Sequence, residues 1–213
     1  IAEGFLSGWI DSAGNLQKSA SPCIRDVWDD TRQRDVPAII YAYDSNVPLY
    51  FTQDDIGEFL TCKAAAHTMV ATLLESVNVS PSEIGTFYLA GGFGTHYNLE
   101  SAITVGLYPD LPREKFKILG NSSLAGAKRL LLDKGCRARL NRIRALATYV
   151  QFGEMEKFVE NMQAARFLPH TDASRYPSVM RRLRERRNIQ RFYRKQAEST
   201  PTHAAAQPRE SAS

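Results

Sequence analysis

The stretch Leu89-Ala90-Gly91-Gly92-Phe93-Gly94 decides how this sequence folds. Residues 86–90, which lead into it, are apolar and rich in β-forming side chains, and this pattern predicts a short buried strand. The glycines that follow lack a Cβ, so a flat or phosphorylated ligand can approach their backbone closely. A Gly-Gly pair after a strand also occurs in ordinary tight turns, and that structural alternative stays open at this point.

Two neighbouring patterns set this stretch in a larger unit. Upstream, apolar residues recur at helical spacing over residues 53–75. Downstream, residues 116–119 predict a second strand, Gly120-Asn121-Ser122-Ser123 a second glycine turn, and residues 124–134 a second helix. Because strands alternate with helices here, the sequence predicts an α/β fold with a parallel or mixed sheet flanked by helices.

The remaining local signals predict further elements. Thr52 is expected to cap the long helix, with Asp54 and Asp55 in its first turn, where carboxylates interact favourably with the helix dipole. Further predictions are a turn over residues 11–15, a polar and irregular connector over 19–36, a β-hairpin of 38–43 with 49–51, and helices over 99–105, 137–150 and 154–162.

Charge divides the chain near residue 170. The 213 residues suffice for one substantial core, or for one domain with a tail. Residues 1–170 hold 17 Lys and Arg against 19 Asp and Glu, whereas residues 171–213 hold 10 against 4. We therefore expect a folded domain over 1–170 and a basic, largely disordered tail over 171–213. Within this tail, a solvated, weakly ordered extension is favoured for residues 180–195, and a helix there stays open.

Cysteine and histidine spacing predicts no metal site in this chain. Cys23, Cys62 and Cys136 lie far apart, no Cys-x-x-Cys pair is present, and the four histidines are scattered. Neither an iron–sulfur cluster nor a structural zinc site is predicted by such spacing. Free thiols are typical of a reducing, cytoplasmic compartment, and no run of about 18 apolar residues predicts a membrane span.

The order of these motifs resembles a known family. The matching residues are Phe51-Thr52-Gln53-Asp54-Asp55-Ile56, Cys62-Lys63-Ala64-Ala65, residues 88–94, Gly106-Leu107-Tyr108-Pro109-Asp110 and residues 120–127. They resemble the C-terminal half of an actin/Hsp70/sugar-kinase (ASKHA) ATPase domain, a ribonuclease H-like fold. More closely, they resemble the end of the reductive activators of corrinoid-dependent enzymes. Residues 2–16 and 51–169 fit that pattern in order and spacing, so we expect a fragment of a longer protein.

The resemblance assigns residues to a nucleotide site. Gly91, Gly92, Phe93 and Gly94 would form the turn that contacts adenosine, with Phe93 against the base or in the core behind it. The long helix would lie beside the adenine pocket, so that Lys63 would reach a nucleotide hydroxyl or phosphate.

A second group of residues has two open roles. Gly120 and Asn121 open a helix, where exposed N–H groups can hold an anion, although hinge packing is the favoured role. For Gln53, Asp54 and Asp55, helix capping is favoured over contact with nucleotide or magnesium.

The resemblance also implies cofactors and partners. These are ATP with Mg²⁺, an iron–sulfur cluster in an N-terminal domain outside this chain, and a corrinoid protein of a methyltransferase system whose cobalt(II) is returned to cobalt(I). The chain lacks the Asp-x-Gly-x-Thr type of hairpin that holds the β- and γ-phosphates in this fold family. It would therefore supply one side of the ATP site and no catalytic residue.

Other functions stay open at this stage. An activator of 2-hydroxyacyl-CoA dehydratases shares the ATPase fold but needs cluster-binding cysteines. A sugar or acid kinase needs a catalytic carboxylate from the preceding lobe. Nucleic-acid binding by the basic tail is disfavoured because residues 1–170 are nearly neutral, and no membrane partner is predicted.

Overall fold

The computed structural model describes residues 1–92, 96–154 and 157–199. Its helices are α1 (Ala2–Leu6), α2 (Gln53–Ser76), α3 (Leu99–Thr104), α4 (Ser122–Leu132), α5 (Cys136–Leu146), α6 (Phe158–Ala164) and α7 (Pro177–Ser199). Its strands are β1 (Ile24–Asp29), β2 (Arg34–Asp44), β3 (Val47–Thr52), β4 (Phe87–Ala90) and β5 (Phe116–Gly120). The order of elements alternates between strands and helices from β3 to α4, as the sequence predicts.

The first sheet contains three antiparallel strands in the order β1-β2-β3. Ile39 of β2 pairs with Ile24 on one side and with Phe51 on the other, which confirms the predicted hairpin. The predicted connector over residues 19–36 is wrong, because it contains β1 and the start of β2. Only Ile24 of β1 is buried, so β1 has no apolar alternation that would reveal it as a strand.

Helix α2 begins where the sequence predicts. The Thr52 hydroxyl accepts a hydrogen bond from the Asp55 backbone N–H (3.1 Å), and the Asp55 carboxylate accepts one from the Thr52 N–H (2.8 Å). This capping box satisfies two backbone donors at the helix start. Ile56, Leu60 and Ala64 then face the core with at most 3% of their surface exposed.

The second sheet contains only β4 and β5, which pair in parallel. Within the described residues, the strands therefore form two separate sheets instead of the single mixed sheet that we expected. The prediction of a buried strand at residues 86–90 is also only partly right, because Leu89 is buried whereas Tyr88 is 59% exposed. The two helices that directly follow β5 are exposed as well: Leu131 of α4 is 88% exposed and Leu146 of α5 is 84% exposed.

The hydrophobic core joins both ends of the chain. Its buried residues are Ala2, Phe5, Leu6, Ile10, Ile24, Ile39, Ile56, Leu60, Ile103, Val105, Leu168, Tyr176, Val179 and Leu183. The last three belong to the predicted tail and have at most 5% of their surface exposed. The start of that tail is therefore a helix packed on the core, and not a solvated extension, because its apolar residues recur at helical spacing. The prediction of disorder over residues 200–213 lies outside the described residues.

Candidate functional site: two glycine turns on one sheet edge

The two glycine turns lie side by side at the carboxyl ends of β4 and β5. Leu89 pairs with Ile118 and Ala90 with Gly120. Beyond the last pair, the Gly91 N–H donates a hydrogen bond to the Gly120 carbonyl oxygen at 2.8 Å. In open α/β sheets, ligands bind outside the carboxyl ends of parallel strands, so this edge is the candidate binding site.

The backbone conformation explains two of these glycines. Gly91 has a φ of +99° and Gly120 a φ of +65°, values that side chains with a Cβ rarely adopt. Gly92 is different, because its φ lies outside that range. Among the described atoms, a Cβ added at Gly92 would also meet nothing within 4 Å. Among the residues that the structure describes, neither backbone strain nor packing therefore requires glycine at position 92.

The next helix with described bounds after the first turn is α3. Phe93 and Gly94, which we predicted to contact adenosine, lie outside the described residues. Asn98 begins α3, and its side-chain oxygen accepts a hydrogen bond from the Ser101 N–H at 2.9 Å. This cap fixes the start of α3.

The second turn leads directly into α4. The Asn121 side-chain oxygen accepts a hydrogen bond from the Leu124 N–H at 2.9 Å, so Asn121 is the N-cap of α4. Its side-chain oxygen is committed to the helix start. The Asn121 Nδ2 group and the neighbouring backbone N–H groups are the donors that a ligand at this turn could meet. A contact between Gly120 or Asn121 and nucleotide stays a prediction.

Lys63 lies in a different setting from the glycines. Its side chain is almost completely buried, and Nζ donates hydrogen bonds to the carbonyl oxygens of Phe167 (2.5 Å) and Pro169 (2.8 Å). Burial lowers the pKa of the Lys63 ammonium to about 7. Among the described residues these two carbonyls are its only hydrogen-bond partners, so Lys63 ties α2 to the segment before α7. A contact between Lys63 and nucleotide stays a prediction.

The residues at the start of α2 also have protein partners. Asp55 belongs to the capping box, and Asp54 forms ion pairs with Arg32 (3.1 Å) and Arg34 (3.4 Å). Gln53 accepts a hydrogen bond from the Leu16 N–H at 2.8 Å and donates one to the Gly14 carbonyl at 2.9 Å. These contacts confirm the capping interpretation for Asp55 and give the other two residues roles in joining α2 to its neighbours.

A cluster of aromatic rings, His67 of α2 with His170 and Tyr176, was not predicted from the sequence. The Tyr176 hydroxyl donates a hydrogen bond to the Gly106 carbonyl oxygen at 3.3 Å. The same hydroxyl oxygen lies 3.2 Å from Nδ1 of the His67 ring. Burial, with the neighbouring His170 as a smaller cause, lowers the pKa of His67 to about 4. The only signal was that His67 occupies an apolar position in the helical repeat of α2.

Metal binding and membrane insertion each require a recognisable arrangement of side chains. Within residues 1–92, 96–154 and 157–199, no group of three or more His, Cys, Asp or Glu side chains is arranged to hold a metal ion. Across the same ranges, none of the helices combines the length and the apolar character needed to cross a membrane.

Comparison with known proteins identifies the family. The model of the family described as the C-terminal domain of RACo, the ASKHA domain, matches residues 1–180. A corrinoid activation enzyme, RamQ, of Eubacterium limosum is 29% identical over 166 residues, which are 75% of this chain and 28% of that protein. A solved structure of a reductive activator for a corrinoid, iron–sulfur protein superimposes with a TM-score of 0.75 at 32% identity, over 83% of this chain and 28% of that one. The chain thus spans little more than a quarter of the length of either relative. By the match over residues 1–180, this chain belongs to the family of RACo C-terminal ASKHA domains.

Proposed function

We propose that this chain forms the adenosine side of an ATP cleft in a reductive activator of a corrinoid protein. The whole protein would return inactive cobalt(II) corrinoid to the cobalt(I) state in a methyltransferase system. The observation that carries the proposal is the pair of glycine turns joined by the Gly91–Gly120 hydrogen bond. The names of the two relatives, both activators of corrinoid systems, support the choice of substrate.

The residues at this edge fit an adenosine group. Glycine at position 92 leaves open space where a side chain would otherwise lie, so a flat base or a ribose can come close to the backbone. Free N–H groups in the first turn of α4 can donate to polar atoms of a ligand. Bound ATP would supply the binding and hydrolysis energy that drives the activator between its states. We assign the phosphates, Mg²⁺ and the iron–sulfur cluster to parts of the protein outside this chain.

Coupling to ATP has a physical reason in the cobalt chemistry. Reduction of cobalt(II) to cobalt(I) takes up one electron and is unfavourable with ordinary cellular donors. An activator that binds the easily reduced geometry of the corrinoid more tightly than the resting geometry shifts the population towards it. This chain would contribute one wall of the nucleotide cleft and part of the surface that contacts the corrinoid protein.

The test uses the intact protein that contains this chain, purified without oxygen. It is mixed with a corrinoid protein from the same organism, ATP and a low-potential one-electron reductant, and the visible spectrum is followed. We expect ATP-dependent conversion of cobalt(II) to cobalt(I) corrinoid. Gly92→Leu should abolish this dependence on ATP, because the new side chain would occupy the space assigned to adenosine.

Gly85→Leu is the matched control. Gly85 precedes the opposite end of β4, and a Cβ there also meets nothing within 4 Å among the described atoms. If both variants retain full ATP-dependent conversion, the glycine turn is not the nucleotide site. If the unmodified protein uses ATP but reduces no corrinoid, the substrate assignment is wrong, and the 2-hydroxyacyl-CoA dehydratase activator and the kinase become the functions to test.

A further inference from the structure

An ionic cluster, here called the brace, joins three segments that are distant in the sequence. It consists of Glu100 on α3, Asp110 and Arg113 before β5, and Ser178 and Arg182 on α7. In the sequence, Asp110 belongs to a family-matching motif and Arg182 to the basic segment 180–195, and neither pattern predicts this cluster. The role proposed below rests on the proposed nucleotide site.

Arg113 and Arg182 hold Glu100 from two sides. Arg113 binds the carboxylate with both Nε (2.5 Å to Oε1) and Nη2 (3.0 Å to Oε2). Arg182 Nη1 lies 3.1 Å from the same Oε2 and also donates to the Thr104 hydroxyl at 3.0 Å. A two-pronged arginine–carboxylate pair within a network has a defined geometry, unlike an isolated surface ion pair.

Asp110 attaches the start of α7 to the same arginine. Its carboxylate accepts hydrogen bonds from the Ser178 N–H (2.7 Å) and the Ser178 hydroxyl (2.6 Å), while Arg113 Nη1 donates to it at 2.8 Å. Only 2% of the Asp110 side chain is exposed. A buried carboxylate that is paired on every side fixes its partners tightly, because breaking any contact leaves a buried charge uncompensated.

The brace contacts the chain segment after the first glycine turn and the segment before the second. Glu100 is the second residue of α3 and lies eight positions after Gly92, and Arg113 begins the short 3-10 helix that runs directly into β5. Strand β5 ends at Gly120, in the second turn. Between these points, the rings of Phe87, Tyr108 and Phe116 lie 5.3–6.3 Å apart and tie the starts of β4 and β5 together.

Helix α7 supplies the fixed anchor for this arrangement. Tyr176, Val179 and Leu183 are buried in the core, at most 5% exposed. The brace therefore connects a helix that cannot move independently of the core to the two segments that flank the candidate nucleotide site. Arg182 lies just beyond residues 1–180, over which the family model matches.

We propose that the brace positions the two glycine turns, so that nucleotide affinity depends on the Arg182–Glu100 contact although neither residue touches nucleotide. Loss of that contact would free α3 and, through Arg113, the start of β5. The two turns would then sample more conformations before binding, and the apparent affinity would fall by the fraction of time that they are correctly placed.

The experiment measures ATP affinity by calorimetry in the intact protein that contains this chain. The variants are Glu100→Gln, Arg182→Ala and Arg182→Lys, with Arg184→Ala as the matched control. Arg184 is exposed on the same helix, and its described side-chain hydrogen bond goes to Met180 of its own helix. Amide hydrogen exchange of residues 87–92 and 117–121 without nucleotide, together with the melting temperature, accompanies each titration.

We expect Arg182→Ala and Glu100→Gln each to weaken ATP binding by roughly 5-fold, a size typical of residues that act at a distance. Their combination should weaken it by much less than the product of the two effects, because both remove the same contact. Exchange at the two turns should rise, Arg182→Lys should recover part of the affinity, and Arg184→Ala should change neither property.

Three results would overturn the proposal. Unchanged affinity and unchanged exchange in the first two variants would show that the brace does not position the turns. An equal effect of Arg184→Ala would assign the loss to general charge. A fall in melting temperature without faster exchange at the turns would make the brace a stabilising contact only. If the unmodified protein binds no ATP, the proposed nucleotide site fails as well, and this outcome is distinct from the other three.

Discussion

The glycines of the packed core and those of the β4–β5 edge serve opposite purposes. A Cβ at Gly106 would overlap the backbone of Pro169, and one at Gly14 would overlap the Leu60 side chain. Cβ atoms at Gly92 and Gly120 would meet nothing within 4 Å among the described atoms. In the core, neighbouring atoms of the chain leave no room for a Cβ, so glycine is required there. At the β4–β5 edge, the space beside the glycines is open among the described atoms.

This contrast separates two meanings of the same residue type. A glycine that a neighbouring backbone requires says that the fold is compact at that place. Gly92 is required neither by φ nor by packing among the described residues, a property that it shares with Gly85. Its place beyond the carboxyl end of β4, where Gly85 does not lie, is what makes it the candidate contact with a ligand. Substitutions at the two kinds of glycine test this difference.

The largest effect is expected at the packed glycine. Gly106→Ala combines a φ of +78° with overlap against the Pro169 backbone, so the free energy of unfolding should fall by about 3 kcal/mol or more. Gly8→Ala is the control, because Gly8 has a φ of +76° but open surroundings, and it should cost about 1 kcal/mol from strain alone. Thermal unfolding of the two variants measures the difference. Equal losses would mean that close packing at Gly106 is not the cause.

At the open glycine, binding should change and stability should not. Gly92→Leu should leave the melting temperature within about 2 °C of the unmodified chain, because no clash or backbone strain arises. ATP affinity of the intact protein should fall at least ~10-fold, since a side chain would occupy the ligand's space. A large drop in melting temperature would instead show that Gly92 is a structural glycine like Gly106.

The buried lysine should make the core sensitive to pH. Burial places the pKa of folded Lys63 at about 7, below its usual value of 10.5. Between these values the unfolded chain binds more protons, so stability should rise with pH by up to about 1.4 kcal/mol per pH unit. Urea unfolding at pH 6 to 9 should show this rise in the unmodified chain and a weaker rise in Lys63→Met. Parallel curves would refute the assignment.

The smallest effect concerns the brace in acid. A hydrogen bond from Arg113 lowers the pKa of Glu100. Burial alone would raise the pKa of Asp110, yet the hydrogen bonds from Ser178 and Arg113 together hold it below its usual value. Both carboxylates therefore stabilise the fold above their unfolded pKa values of 4.5 and 3.8, and this contribution is lost as the pH falls through the lower folded values.

The measurement compares Glu100→Gln with the unmodified chain. Their melting temperatures should differ at neutral pH and converge as the pH falls through the lowered folded pKa of Glu100, because protonated Glu100 no longer pairs with arginine. High salt should reduce the difference at neutral pH, since Glu100 is 44% exposed. A difference that persists unchanged in acid would mean that packing, and not charge, gives Glu100 its role.

Local signals were sufficient to predict much of the fold. The cap at Thr52, the β2–β3 hairpin and the two glycine turns are each encoded within a few neighbouring residues. The ends of α5 and α6 were less accurate, because the predicted segments 137–150 and 154–162 became Cys136–Leu146 and Phe158–Ala164. Ends of helices fray and carry weaker signals than their middles.

Features that depend on distant residues could not be predicted. The carbonyls that bind Lys63 lie more than 100 positions along the chain from it. Helix α7 looked like a basic tail because charge dominates its composition. Only the structure shows that Val179 and Leu183 of this helix, with Tyr176 just before it, are buried in the core. Strand β1 carries no alternating pattern, since it is held by pairing with β2.

Amide hydrogen exchange of the intact protein with and without ATP tests whether the two glycine turns bind nucleotide together. If the two turns form one nucleotide-binding edge, ATP should protect residues 87–92 and 117–121 together, and Gly92→Leu should remove both effects while Gly85→Leu retains them. If ATP protects other segments but leaves exchange at both turns unchanged, the nucleotide binds elsewhere and the proposed nucleotide site is wrong.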